Sequence, residues 1–198
     1  MKKLMLYASI ALLVAGCIPS LNPFYTAKDL VFAPELLGEW KAKNESDQPA
    51  QWQFEKLEDK AYKLTVTEDK AKKGEFTAHL FKIGTGQFLD IVPSKCDYDS
   101  SQADLIASAM FPGHLLLRVE QIGPELKMAP FDYDWLKKYL EENPKAIGHR
   151  EESDSIVLTA ATKDLQRFVL AHLAEGQLFK AESALVRAGV TGSKIDAR

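Results

Sequence analysis

Cysteine is scarce in this chain, with two in 198 residues, so no framework of disulfides is available to hold it together. Positive charge is not in excess either. Lys and Arg number 25 against 28 Asp and Glu, a formal net charge of −3. That balance argues against nucleic acid as a partner, and against electrostatic binding to anionic headgroups. Beyond the first fifteen residues no apolar run is long enough to cross a bilayer, which takes about 20 residues. The four histidines, His79, His114, His149 and His172, are too widely spaced for a ligand pattern such as H-x-x-x-H. There is no G-x-S-x-G nucleophile elbow and no basic patch interleaved with aromatics. The bulk composition, 46% hydrophobic and 27% charged, is that of a folded globular protein.

What the chain does have is concentrated at its start. Lys2 and Lys3 precede a short, mostly apolar run from Leu4 to Ala15, and small residues then lead to Cys17. A basic flank, a short apolar core and small residues make a secretory signal peptide over residues 1–16. A run of this length is too short for a spanning helix. With its cysteine, Leu13-Val14-Ala15-Gly16-Cys17 resembles the lipobox of bacterial lipoproteins. The resemblance implies cleavage between Gly16 and Cys17. It also implies a diacylglycerol and an N-acyl chain such as palmitate on Cys17, a permanent anchor because it combines more than one acyl chain. Ile18, rather than the Asp that retains such proteins in the inner membrane, points to delivery to the outer membrane of a two-membrane cell envelope. Cys96 is then left without an intramolecular partner, and nothing nearby marks its thiol as activated.

Cleavage after Gly16 leaves 182 of the 198 residues, and loss of Lys2 and Lys3 moves the formal charge from −3 to about −5. That length suffices for one domain with a real core. Residues 17–35 read as a lipidated N-terminal tether, with three prolines between 18 and 36 and no sustained period. Phe24, Tyr25, Leu30, Val31 and Phe32 are too apolar for a free linker, so part of the tether is expected on the body.

From residue 36 to 179 the prevailing period is two, the mark of half-buried strands. Trp52 and Phe54 alternate with Gln51, Gln53 and Glu55, and Tyr62, Leu64 and Val66 alternate with Lys63, Thr65 and Thr67. Further strands are expected at Glu75–Ile83, Gln87–Val92, Leu115–Ile122 and Glu125–Ala129, with Ser155–Ala160 as the last. Gly84-Thr85-Gly86 makes a hairpin turn, since the third glycine of a dinucleotide loop would fall on Leu89. Helices are predicted near 101–110, 133–142 and 163–174. Asp132 is placed as an N-cap, with Phe131 and Leu136 as a hydrophobic staple. Thr162 is placed as the cap of the third helix, whose apolar stripe is Leu165, Phe168, Val169 and Leu173, with Gly176 as its stop. The tail, 180–198, is expected to hold at most a helical turn or two.

This order predicts a mainly β (α+β) architecture, an antiparallel meander closed into a barrel of about eight strands with peripheral helices. Gly38-Glu39-Trp40 at the head of the meander is similar to the opening strand of lipocalin-like (calycin) barrels. The resemblance implies a tryptophan packed across the closed end of the barrel, with an arginine partner whose position the sequence does not specify. A helix before the last strand departs from the usual lipocalin plan. The chain as a whole resembles bacterial lipoproteins that combine such a first strand with such a meander, which brings a fold expectation and no activity.

Candidate chemistry is thin. Asp97-Tyr98-Asp99-Ser100-Ser101 imitates the start of a calcium loop, but Gln102 and Ser108 stand where glycine and glutamate are required. The pairs Glu141-Glu142 and Glu151-Glu152 read as solvated charge. No catalytic set, metal site or cofactor is therefore expected, and the protein is not read as an enzyme. The apolar strand face remains: Trp52, Phe54, Tyr62, Leu64 and Val66 either line a site for a small apolar or lipid-like ligand or fill the barrel. The leading expectation is a membrane-anchored ligand binder. Its alternative is a non-enzymatic envelope module with a filled core, which docks a protein partner through the 94–112 loop or the Asp132–Leu140 helix.

Overall fold

The computed structural model describes residues 18–42, 51–67, 73–95, 111–152, 155–180 and 183–188. Seven strands follow one another as a meander: β1 (Gly38–Ala42), β2 (Gln51–Glu58), β3 (Ala61–Thr67), β4 (Lys73–Ile83), β5 (Gly86–Lys95), β6 (Leu115–Ile122) and β7 (Glu125–Pro130). The chain then leaves the sheet for helix α1 (Tyr133–Glu142), a two-stranded ribbon of β8 (His149–Glu152) and β9 (Ser155–Leu158), and helix α2 (Thr162–His172). It returns as β10 (Ser183–Arg187), which slots antiparallel between β7 and β1 and closes an eight-stranded barrel. The expected lipocalin-like meander barrel with peripheral helices is thus the observed architecture.

Two expectations about the end of the chain are corrected. Ser155–Leu158 is a strand, but it pairs with β8 in the separate ribbon and not with the barrel. The closing strand lies at 183–187, beyond the domain end expected at 179 and inside a tail read as helical. Period-two alternation reports that a segment is a strand without reporting its partner, and pairing on both edges overrides the helix propensity of Ala184 and Leu185.

Local signals elsewhere act as expected. Asp132 caps α1 by accepting a hydrogen bond from Trp135 N at 3.0 Å, and Phe131 and Leu136 are both buried in one cluster. The cap of α2 is corrected by one position: Ala161 is the N-cap, with no side-chain cap bond, and Thr162 is already helical. Gly176 ends the following 3-10 turn at φ +69°. Gly84, at φ +54°, forms the tight β4–β5 turn with Thr85. The helix expected near 101–110, the Asp97–Ser101 loop and Cys96 lie outside the described residues.

Alternation along the strands separates two cores. Inward side chains, among them Trp40, Phe54, Tyr62, Leu64, Leu80, Leu89, Leu126, Met128 and Leu185, fill the barrel. Outward side chains of the same wall, Phe81, Ile83, Phe88 and Leu116, pack under α1, α2, Phe131 and Phe179 to form a second core. Burying each large apolar side chain contributes about 1.5–3 kcal/mol.

Residues 18–37 are not a loose tether. Ser20 pairs with His114 and Leu158, Leu30 pairs with Phe81 on β4, and a 3-10 turn at Pro34–Leu36 brings Leu36 into the inner core. This segment runs from the outer core to the end of the barrel where β1 begins.

Candidate functional site

The five residues expected to face a ligand do converge inside the barrel. Trp52, Phe54, Tyr62 and Leu64 belong to the inner core, and Val66 packs against it partly buried. Trp52 and Phe54 have ring centroids 6.1 Å apart, and Phe54 meets Tyr62 edge-on at 6.2 Å. Phe32, from the N-terminal segment, stacks on Tyr62 at 4.9 Å. Ala33 N donates to the Tyr62 hydroxyl at 2.7 Å, which ties the end of this segment, a plug formed by Phe32 to Leu37 where β1 begins, to the wall. Phe54, Tyr62, Leu64, Leu80 and Leu89 are each 1% exposed or less. A side chain with no area open to a water-sized sphere borders no void of that size, so at this level the barrel is filled. Exposure returns at Trp52 (6%) and at the partly buried Val66, Phe76 and Leu115.

The closed end carries the pair that the lipocalin-like resemblance implied without placing. Arg187, on β10, sets its guanidinium 4.4 Å from the Trp40 ring centroid and donates to the carbonyl oxygens of Leu37 (3.0 Å) and Glu35. Trp40 Nε1 donates to Leu36 O at 2.9 Å. This arginine was missed in the sequence because its strand was missed.

A polar group that sequence reasoning did not connect lies on the outer face of β4 and β5. Asp90 is wholly buried. Its Oδ2 accepts from Phe24 N at 2.9 Å, and its Oδ1 is 2.7 Å from His114 Nδ1. Across the ladder from Asp90 stands His79, whose Nδ1 is 3.0 Å from the Tyr25 hydroxyl. Burial, with a smaller push from the Asp90 charge, raises the Tyr25 phenol to about 12. Burial also lowers His79 below the usual imidazole range, against the pull of Asp90. Tyr25 and His79 are therefore both neutral near pH 7, and one proton joins them. Ser20, paired through its backbone with His114, completes an arrangement that looks like acid, base and nucleophile. Ser20 is as fully buried as Asp90, however, and its Oγ accepts from Asn22 N at 3.2 Å. Acid and hydroxyl are both sealed, and through Phe24 N, the Tyr25 hydroxyl and the Ser20 backbone the group clamps the N-terminal segment to the barrel wall. Residues 20, 25, 79, 90 and 114 share no motif, so no sequence signal could have joined them.

The helical layer holds an open cleft of about 460 Å³ lined by Tyr139, Ile147, Phe168 and His172 with Lys145, Asp164 and Arg167. Tyr139 and Phe168 both meet the His172 ring, at 4.8 and 4.7 Å, and Trp135 stacks on Tyr139 at 4.9 Å. His172 Nδ1 is 3.1 Å from Glu175, and Arg167 pairs with Asp164 at 2.6 Å. Arg167 and Ala171 are exposed on α2. Glu141, Glu142 and Glu151 are exposed, as expected.

Among the described residues no group of three or more His, Cys, Asp or Glu is placed to hold a metal ion, and no helix is long and apolar enough to cross a membrane. Gly16 and Cys17 lie outside the described residues. Fold and site together define a class, a closed eight-stranded antiparallel barrel of lipocalin-like plan with a helical layer on one wall. Comparison with protein-family models, with curated proteins and with solved structures finds no match.

Proposed function

We propose that this protein is a bacterial cell-envelope lipoprotein, anchored through Cys17 to the outer membrane, whose barrel is a solid scaffold for docking a protein partner. The filled interior carries this reading. Side chains at the middle of the barrel border no space, so a lipid-sized ligand would have to displace packed aromatics, and each such rearrangement costs about 1–3 kcal/mol. The recessed surface lies instead between α1 and α2, where Tyr139, Phe168 and His172 meet charged Lys145 and Arg167. Aromatic and Arg side chains are enriched where proteins meet. The function is non-enzymatic and uses no metal or cofactor. The anchor reading is supported by the N-terminal sequence, from Lys2 to Cys17.

A second reading rests on the exposure at Trp52, Val66, Phe76 and Leu115, which suits a small apolar ligand held at that end of the barrel. Two measurements separate these readings. Native mass spectrometry of the domain beginning at Ile18, purified from its own host, should give an apo mass. Photo-crosslinking in the host from Arg167 and Ala171 should capture a protein that a probe at exposed Glu55 on β2 does not. A stoichiometric apolar ligand that is lost in Trp52→Ala would favour the second reading and overturn the first.

A further inference from the structure

The first described residues are clamped, not tethered. Ile18 is 2% exposed, within the outer core. Ser20 N donates to His114 O and His114 N to Ser20 O, while Leu158 N donates to Pro19 O and Leu21 N to Leu158 O, all at 2.9 Å. These four backbone hydrogen bonds fall on three consecutive residues. Pro19 lies so close to the β6 side that a Cβ on Gly113 would come within 2.7 Å of Pro19 Cβ. The clamp therefore begins one residue after Cys17. A flexible linker gives its domain a reach of about 5–6 Å times the square root of its length. Here a single peptide step, about 3.8 Å between Cα atoms, separates the anchor residue from a buried one.

An anchor with no linker constrains more than location, because the bilayer must lie against the face of the fold from which residue 18 departs. Among the described residues four large apolar side chains are exposed: Leu21 (40%), Phe111 (63%), Leu57 and Leu170. Two of the four flank the clamp, Leu21 one residue after Ser20 and Phe111 three residues before His114. The other two sit on β2 and α2. The mature chain is acidic, so attraction to anionic headgroups does not set its pose. Apolar side chains that enter the headgroup boundary do not need such attraction.

We propose that the anchored domain lies directly on the bilayer with Leu21 and Phe111 in its interfacial layer, so that Cys17 sets the orientation of the barrel as well as its address. This rests on the lipid-anchor reading of Cys17.

The test uses the full chain, processed in a bacterial host and reconstituted into vesicles of phosphatidylethanolamine and phosphatidylglycerol. A photo-crosslinking phenylalanine analogue is placed in turn at residues 21, 111, 57 and 170, all exposed, so that folding is undisturbed. Lipid adducts at 21 and 111 should exceed those at 57 and 170 by about tenfold, and a Gly-Ser spacer of about fifteen residues between Cys17 and Ile18 should reduce that ratio several-fold. Equal yields at all four positions, or adducts at 21 and 111 to a second copy of the chain in place of lipid, overturn the proposal. The mass of the N-terminal peptide from the same samples keeps the two failures apart. An unmodified Cys17 removes the anchor reading itself, whereas an acylated Cys17 with uniform crosslinks removes only the fixed orientation.

Discussion

Arg187 joins three parts of the molecule through one side chain. Its guanidinium faces Trp40 of β1, its backbone belongs to β10, and its N–H groups hold the carbonyls of Glu35 and Leu37 in the plug. Arg187→Ala removes a cation–π contact and leaves two carbonyls without their donors, for an expected loss of about 2–3 kcal/mol. Arg187→Lys keeps the charge but not the planar fork, and should recover only part of that. Urea unfolding followed by tryptophan fluorescence measures both, and a midpoint unchanged in Arg187→Ala would show that the pair is ornamental. His79 allows a prediction of opposite character, in pH. Burial lowers its pKa in the fold relative to the unfolded chain, so below about pH 6.5 the unfolded state binds more protons. Stability therefore rises with pH through the window between the lowered value and about 6.5, and falls as the medium is acidified. The groups that face it are Tyr25, Asp90 and His114, with Glu58 further off, and the two carboxylates oppose the shift without cancelling it. His79→Gln keeps a partner for the Tyr25 hydroxyl and should flatten the dependence of the unfolding midpoint between about pH 5 and 7. Equal slopes in the two proteins would count against a neutral, half-buried His79.

At the scale of elements, β10 decides whether there is a barrel at all. It has partners on both edges, and Leu185 is wholly buried. A chain ended after residue 180 would leave β1 and β7 with open edges, and open edges recruit other chains. We expect such a truncation to aggregate and to lack a cooperative thermal transition by circular dichroism, while ending the chain after residue 188 should leave the transition in place. The elements also divide by how they could be read. The β2 and β3 strands declare themselves through Trp52–Phe54 and Tyr62–Leu64–Val66, and α1 through Asp132, because alternation and capping act over a few neighbouring residues. β10 has one buried residue in five positions, too little alternation to separate it from a helical turn. β9 is legible as a strand and illegible as to partner.

For the molecule as a whole, the N-terminal segment is the strap that holds two cores to one wall. Asp90 grips it at Phe24, β4 at Leu30, and Tyr62 at Ala33. A boundary at residue 36, natural from sequence, should therefore fail. A protein that begins at 36 strips Tyr25 and Leu30 from Phe81 and Phe24 from Phe131 on the outer face and loses the plug, whereas one that begins at 18 keeps both cores covered. We expect the shorter chain to be recovered insoluble, or to melt at least about 10 °C lower, as a loss of several kcal/mol implies for a domain of this size. Comparable melting temperatures would show the strap to be dispensable. Sequence by itself determined the class of the fold, the positions of seven barrel strands, the inward face of β2 and β3, and the cap of α1. Each is written in residues a few positions apart, where covalent neighbours decide. Only the tertiary structure decided which strand closes the barrel, that its middle is filled, that Arg187 meets Trp40, and that Tyr25, His79, Asp90 and His114 form one clamp. Those outcomes depend on hydrogen bonds and close packing between segments dozens of residues apart, and such contacts exist only once the whole chain has folded.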